Sequence, residues 1–324
     1  MILLLCLINL ALIFIISFML INPKICFKCN NVFVKYKLFF GILIGAIITS
    51  IIIYWVNYKN ISTFNLLTTL NCQKHDGKKD QKQKIPKIIY RTWKDKNLPK
   101  DYQDAWNYTA KKNPEYKQVL YDDDDILKFL ETVNLPDINS KTLIDTFNSL
   151  VHGAAKADFF RYCILYQNGG IYLDIKSAAH ELRNLVKPND ELIISTWDHY
   201  DIGRDMKVLG FHSFGEIEQW WLACSPKLPI YEKVISAIVK EVKAKKQKKD
   251  TYNKSYIFNI GNQMSVIKLT GPLKYTQVIL DHVKEYGPNG ITITCPDGNG
   301  TFIYDFSGNH KGAAGYKKPG KIIK

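Results

Sequence analysis

Residues 154–176 read AAKADFFRYCILYQNGGIYLDIK, and the fold turns on how this stretch divides. Its first part suits a helix, predicted from Thr142 to Gln167, with Gly153 as an interruption and Asn168-Gly169-Gly170 as the stop. The last six residues, Ile171 to Lys176, alternate as a strand does. Ile171, Leu173 and Ile175 face one way, into a core. Tyr172, Asp174 and Lys176 face the other, so a phenol, a carboxylate and an ammonium stand in one row. A merely exposed polar face explains that row equally well. Asp158 and Arg161 are three residues apart and share a helix face. A surface ion pair, worth about 0–1 kcal/mol, is the plain reading of them. The row that follows argues instead for a site.

Working outward, strand and helix patterns alternate. KIIYR (87–91) reads as a buried strand, Asp101 to Lys112 as a helix, KQVLY (117–121) as a strand and Asp124 to Val133 as a helix. Downstream, ELIIS (191–195) reads as a strand. Phe214 to Cys224, with Trp220 and Trp221, reads as a helix, and Pro229 to Lys249 as an amphipathic helix. Such alternation predicts an α/β domain with a Rossmann-like, mainly parallel sheet. Ligands on such sheets sit beyond the carboxyl ends of the strands. The run Asp122-Asp123-Asp124-Asp125 resembles a metal site. Its place between a strand and a helix favours an N-cap followed by first-turn acids that suit the helix dipole. The Trp220-Trp221 pair is read as core rather than as a sugar-stacking platform.

The 324 residues carry a formal charge of +14. The lysines are scattered or gathered near the apolar segments and in the tail from Lys240 to Lys249. No basic stripe interleaved with aromatics is present, which argues against nucleic-acid binding. Residues 1–21 and 38–56 are apolar runs of the length a membrane-spanning helix needs. The first is a transmembrane helix or signal anchor, 22–37 a basic loop and 57–84 a polar, lysine-rich stem, leaving 85–324 as the globular domain. Lys24, Lys28, Lys35 and Lys37 place the loop in the cytosol and the domain in a lumen. Sequons at Asn60, Asn107, Asn253 and Asn299 fit that side but arise easily in an Asn-rich chain. The seven scattered cysteines form no disulfide framework. Cys26 and Cys29 have zinc-like spacing without a second ligand pair, so a structural zinc is not expected. His152, His199 and His212 show no metal spacing.

Three segments carry a family likeness: Ile85 to Lys94 (IPKIIYRTWK), Ala154 to Asp174, and Leu269-Thr270-Gly271-Pro272. Together they resemble glycosyltransferase family 32, the transferases with a DXD sugar-binding region. The family includes yeast Golgi α-1,6-mannosyltransferases, and the clostridial glucosylating toxins share a similar core. The resemblance implies a GT-A fold, retention of anomeric configuration, a UDP- or GDP-hexose donor, and a glycan, glycolipid or glycoprotein acceptor, in the Golgi or another endomembrane. By position it makes Trp93 the nucleobase-stacking aromatic. Asp158 and Arg161 hold the donor sugar and the diphosphate side. Tyr172 and Asp174 resemble the ribose and metal contacts, and His310 a late metal or phosphate ligand. Asp198 stands where it could line the acceptor side, or is a plain loop acid.

The motif departs from its pattern at one position. Acid–any–acid is expected, and the chain has Asp174-Ile175-Lys176. The second acid normally binds Mn or Mg, and an ammonium has no lone pair to offer a metal. Three arrangements are open: Asp174 binds a metal with His310, Lys176 takes the metal's place beside Asp174 and Arg161 in catalysis, or the fold is a non-catalytic sugar-nucleotide or glycan binder. The second is preferred, because the leaving diphosphate needs positive charge and Lys176 brings it.

Overall fold

The computed structural model describes residues 83–196, 216–251 and 262–307, together with Gly45 and Ser50. The chain divides into two compact units, Met1–Asn65 and Leu66–Lys324, and the second is described below. The apolar runs 1–21 and 38–56, the basic loop, most of the stem, Asp198, His199, His212 and His310 lie outside the described residues. Among the described residues no helix is long and apolar enough to cross a membrane.

Six strands form the central sheet: β1 (Ile88–Thr92), β2 (Lys117–Tyr121), β3 (Gly170–Leu173), β5 (Leu192–Ser195), β6 (Trp221–Cys224) and β7 (Ile291–Thr294), in the order β2-β1-β3-β6-β5-β7. Neighbours are parallel except on either side of β6, which runs against both β3 and β5. The expected mainly parallel α/β architecture is therefore present, with one reversed strand in the middle. A separate pair joins β4 (Ala178–Ala179) to β8 (Phe302–Ile303).

Among the described residues, seven helices of eight residues or more accompany the sheets: α1 (Lys100–Lys112), α2 (Asp123–Thr132), α3 (Ser140–Ser149), α4 (Gly153–Asn168), α5 (Pro229–Thr251), α6 (Asn262–Leu269) and α7 (Pro272–Tyr286). The aspartate run behaves as a cap. The Asp122 carboxylate accepts from the Asp125 amide at 2.9 Å, and Asp125 reaches back to the Asp122 amide, a reciprocal capping box. The long helix expected over 142–167 is two helices, α3 and α4. Leu150 and His152 adopt extended backbone between them, and Asn139 caps α3 through the Thr142 amide at 2.9 Å.

Every side chain of α4 from Asp158 to Tyr166 is buried. A helix covered all round lies inside the protein rather than on its surface. Gly169 (φ 63°) and Gly170 (φ 101°) turn its end into β3. A Cβ at Gly170 would stand 2.8 Å from the Ile88 carbonyl oxygen, so only glycine lets β3 settle against β1 with Ile89 facing Ile171. Three aromatics, Tyr121, Phe129 and Phe160, tie α4 to β2 and α2 with ring centroids 5.0–6.0 Å apart.

The segment with the tryptophan pair corrects its expected helix. Trp221–Cys224 is the reversed strand β6, every residue of it buried, and Trp221 stacks on Phe302 at 4.3 Å. Strands covered on both faces lose the alternation that marks a half-exposed one. The predicted strand over 171–176 also ends early. It stops at Leu173, and Asp174 opens a turn closed by the Ser177 amide on the Asp174 carbonyl at 2.9 Å.

Candidate active site

The carboxyl ends of β1 and β3 and the first turns of α4 and α7 border one cleft of about 710 Å³. Trp93, Asp158, Arg161, Tyr172, Asp174 and Lys176 all line it. The helix pair and the strand row, separated by a glycine turn in sequence, thus share one wall. Ile175, expected on the core side, also reaches the cleft, because the chain is turning there rather than extending.

Arg161 is the centre of this wall. Its Nη2 contacts Asp158 at 3.2 Å and Asp174 at 3.0 Å, and its Nη1 donates to the Gln219 carbonyl. The guanidinium lies 4.4 Å from the Tyr172 ring centroid. Only 5% of its side chain is exposed, so the pair with Asp158 is no surface bridge. Burial alone would pull the arginine down, but Tyr172, Asp174 and Asp158 together hold it firmly protonated. Burial pushes Asp158 up to about 6, against the pull of Arg161 and the Thr270 hydroxyl, which donates to it at 2.9 Å. The likeness segment Leu269 to Pro272 therefore closes on the segment Ala154 to Asp174: Gly271 and Pro272 line the cleft too.

Other contributors carried no chemical signature in the sequence. Gln219, just before β6, donates to the Thr270 carbonyl at 3.1 Å and to Tyr162 of α4, joining that segment to α4 and to the turn before α7. Tyr304 lines the cleft beneath Lys176, whose ammonium sits 4.0 Å from its ring centroid. Tyr102 meets Trp93 edge-on at 4.9 Å. Arg91, fully buried in β1, lies behind the wall. Its Nη1 donates to the carbonyls of Asp174 (3.3 Å), Ile175 (3.3 Å) and Ser177 (2.7 Å), and Nη2 to Thr109 at 2.9 Å.

Glu218 is not in the lining, yet it fixes the segment before β6 that carries Gln219. Its carboxylate accepts from Ser195, from the Trp221 indole and from the Asp297 amide at 3.1 Å. Burial raises it from 4.5 to about 7, against the pull of those donors. The folded state then keeps a proton that the unfolded chain releases above about pH 4.5, so this group's stabilisation is full below 4.5 and lost as pH rises through 7. Asp158 acts in the same direction but is finished near pH 6. Glu218→Gln should therefore remove a loss on the order of 1 kcal/mol between pH 6 and 7. Urea midpoints of the two proteins at those two pH values test this. Parallel losses in both would show that Glu218 does not titrate there.

The donor set does not suit a divalent cation. Asp174 is engaged by Arg161, position 176 is an ammonium, and among the described residues no three His, Cys, Asp or Glu side chains gather as a metal site. Waters and phosphate oxygens can complete the shell of such an ion, but the protein must anchor it with one or two carboxylates.

Residues 99–192 match the family described as "Glycosyltransferase sugar-binding region containing DXD motif". Inositol phosphoceramide mannosyltransferase 3 of Schizosaccharomyces pombe is 31% identical over 38% of this chain and 32% of its own length. The initiation-specific alpha-1,6-mannosyltransferase of Saccharomyces cerevisiae is 35% identical over 34% of this chain and 22% of its own. The matched parts thus span about a third or less of these relatives. Among solved structures, the PaToxG glycosyltransferase aligns at 18% identity over 70% of this chain and 77% of that one, with a TM-score of 0.39. The matched segment runs from the start of α1 to the start of β5 and so brings the α4 helix and the Asp174 turn with it. Residues 99–192 are thus similar to a glycosyltransferase sugar-binding region of the DXD-motif family.

Proposed function

We propose that the chain is a retaining glycosyltransferase that moves a hexose from a UDP- or GDP-sugar to a glycan, glycolipid or glycoprotein acceptor in a GT-A-type domain, held at an endomembrane by its apolar N-terminal runs. The observation that carries this reading is the single cleft at the strand ends, where a buried Asp158–Arg161–Asp174 cluster faces the same space as Trp93, Tyr172 and Lys176. Hydroxyl-rich, diphosphate-bearing ligands need that mixture of carboxylates and cations. The Trp93 indole N–H is buried in the lining without a hydrogen-bond partner among the described residues, a donor that a nucleotide oxygen would satisfy. Cys295 is disulfide-bonded, which the cysteine spacing did not foreshadow and which suits an oxidising lumen.

In this reading Trp93 takes the nucleobase, Tyr172 the ribose side, and Asp158 with Arg161 the sugar hydroxyls. Departure of the nucleoside diphosphate, as its bond to the sugar's anomeric carbon breaks, then leaves an oxocarbenium-like sugar, which the acceptor hydroxyl attacks on the same face, giving its proton to the departing diphosphate oxygen. The negative charge that grows on the diphosphate is met by fixed cations in the wall. Mannose is the first hexose to test, since the relatives named above are mannosyltransferases. Full-length chain in detergent, offered GDP-mannose, UDP-galactose and UDP-glucose in turn, should release nucleoside diphosphate from one of them. Asp174→Asn should lower that release at least a hundredfold. Binding of a donor with no release from any would favour a sugar-nucleotide binder of the same fold, and the absence of binding would end the reading.

A further inference from the structure

We infer that the diphosphate of the donor is held by the Lys176 ammonium in place of a divalent cation, so that nucleotide binding in this cleft is independent of metal. The inference rests on the glycosyltransferase reading and concerns what neutralises the leaving group within it. Two features carry it. The first is the mismatch between the carboxylate set and any metal. The acid that a DXD turn would supply at its third position is a lysine here, and the first acid, Asp174, already accepts from Arg161 at 3.0 Å. A metal that displaced that arginine would leave it buried with Asp158 as its one remaining carboxylate partner among the described residues.

The second feature is the rigidity of the turn that presents the ammonium. Arg91 holds the carbonyls of Asp174, Ile175 and Ser177, the Phe306 amide donates to the Lys176 carbonyl at 3.1 Å, and the Ser177 hydroxyl donates to the Tyr304 carbonyl. Tyr304 then supports the ammonium with its ring face at 4.0 Å, in the lining of the cleft. A lysine on a loose loop would be a solvated charge. One clamped on both sides and laid on an aromatic face is a pre-placed cation, 4.0 Å above a ring and in the same cleft as the Arg161 cluster. The Arg161 charge is already met by Asp158 and Asp174, so the ammonium is the wall's cation for a diphosphate, and it needs no coordination sphere.

The test is equilibrium binding of UDP and of GDP to the full-length chain in detergent, with EDTA or with Mn²⁺, for the wild type, Lys176→Gln and Lys176→Arg. The parent nucleosides uridine and guanosine serve as probes without phosphates. The wild type should bind one diphosphate with affinities in EDTA and Mn²⁺ within about twofold. Lys176→Gln should weaken that diphosphate at least tenfold, as expected for loss of one charge-assisted contact. It should leave the matching nucleoside unchanged, and Lys176→Arg should recover most of the loss. Binding abolished by EDTA and restored by Mn²⁺ would overturn the inference while leaving the glycosyltransferase reading intact, and so would a Gln variant that binds as the wild type does. If the wild type takes neither diphosphate under either condition, both fail together.

Discussion

Replacing Arg161 by methionine should unfold the domain at a temperature roughly 10 °C below the wild type and abolish donor turnover. The volume change is small, so the effect is electrostatic. Arg161 is the shared partner of Asp158 and Asp174, and its side chain and that of Asp158 are both less than a tenth exposed. Removing one member of a buried ion pair costs about 3–5 kcal/mol, because the remaining charge keeps its desolvation penalty and loses its partner. For a domain of this size that corresponds to a shift in the range of 10 °C. Asp158, raised to about 6 even with the arginine present, would move higher still and fold as the neutral acid. The variant should therefore recover part of its loss as pH is lowered toward 5, which the wild type, with its pair intact, does less. Thermal unfolding of both proteins at pH 5 and pH 7.5 checks this. A Met variant melting within 2 °C of wild type at pH 7.5 would show that the cluster is only nominally buried.

The sequence spacing that pointed to Arg161 illustrates how much could be read and what could not. Asp158–Arg161 is an i,i+3 pair, and Lys141–Asp145 in α3 is an i,i+4 pair of the same appearance. One is enclosed by α4, β3 and α7, and the other is largely exposed, where such pairs contribute little. Local spacing gives both the same score, because burial is decided by elements far along the chain. The Gly-Gly turn was the useful clue: it fixes the helix end and the strand start, so it places 158, 161, 172 and 174 on one wall. The reversed strand β6 escaped the same logic. Strands buried on both sides show no period of two, and a short apolar run with two tryptophans reads as readily as a helix. The break at Leu150 carries no proline and lies three residues before the glycine, so only tertiary packing marks it. Thr270 is 112 residues from Asp158, and no local pattern could join them.

Arg91 was legible as a strand residue and illegible as part of the site, and the second expected result follows from that difference. Arg91→Gln should lower stability by about 3 kcal/mol and, independently, slow donor turnover by about a hundredfold while raising KM by no more than about tenfold, the share that Lys176 contributes to binding. The stability loss comes from buried acceptors: the carbonyls of Asp174, Ile175 and Ser177 share one guanidinium nitrogen, and a glutamine is too short to serve all three. Each buried group left without a partner costs about 1–3 kcal/mol. The turnover loss has another origin. Those carbonyls belong to the turn that carries Asp174 and Lys176, so a loosened turn lets both drift from the leaving diphosphate, and a displacement of about 1 Å at such groups can cost on the order of a hundredfold. Ground-state affinity is spread over Trp93, Tyr172, Asp158 and Lys176, and of these only Lys176 rides on the turn that Arg91 holds, so KM moves less than kcat. That asymmetry separates a positioning residue from a core residue. A simple core residue would lower the amount of folded enzyme and leave kcat per folded molecule untouched, whereas the turn argument requires kcat itself to fall at a temperature where both proteins are fully folded. If kcat of the Gln variant, normalised to folded protein, equals that of the wild type, Arg91 holds the sheet together and has no part in presenting the motif.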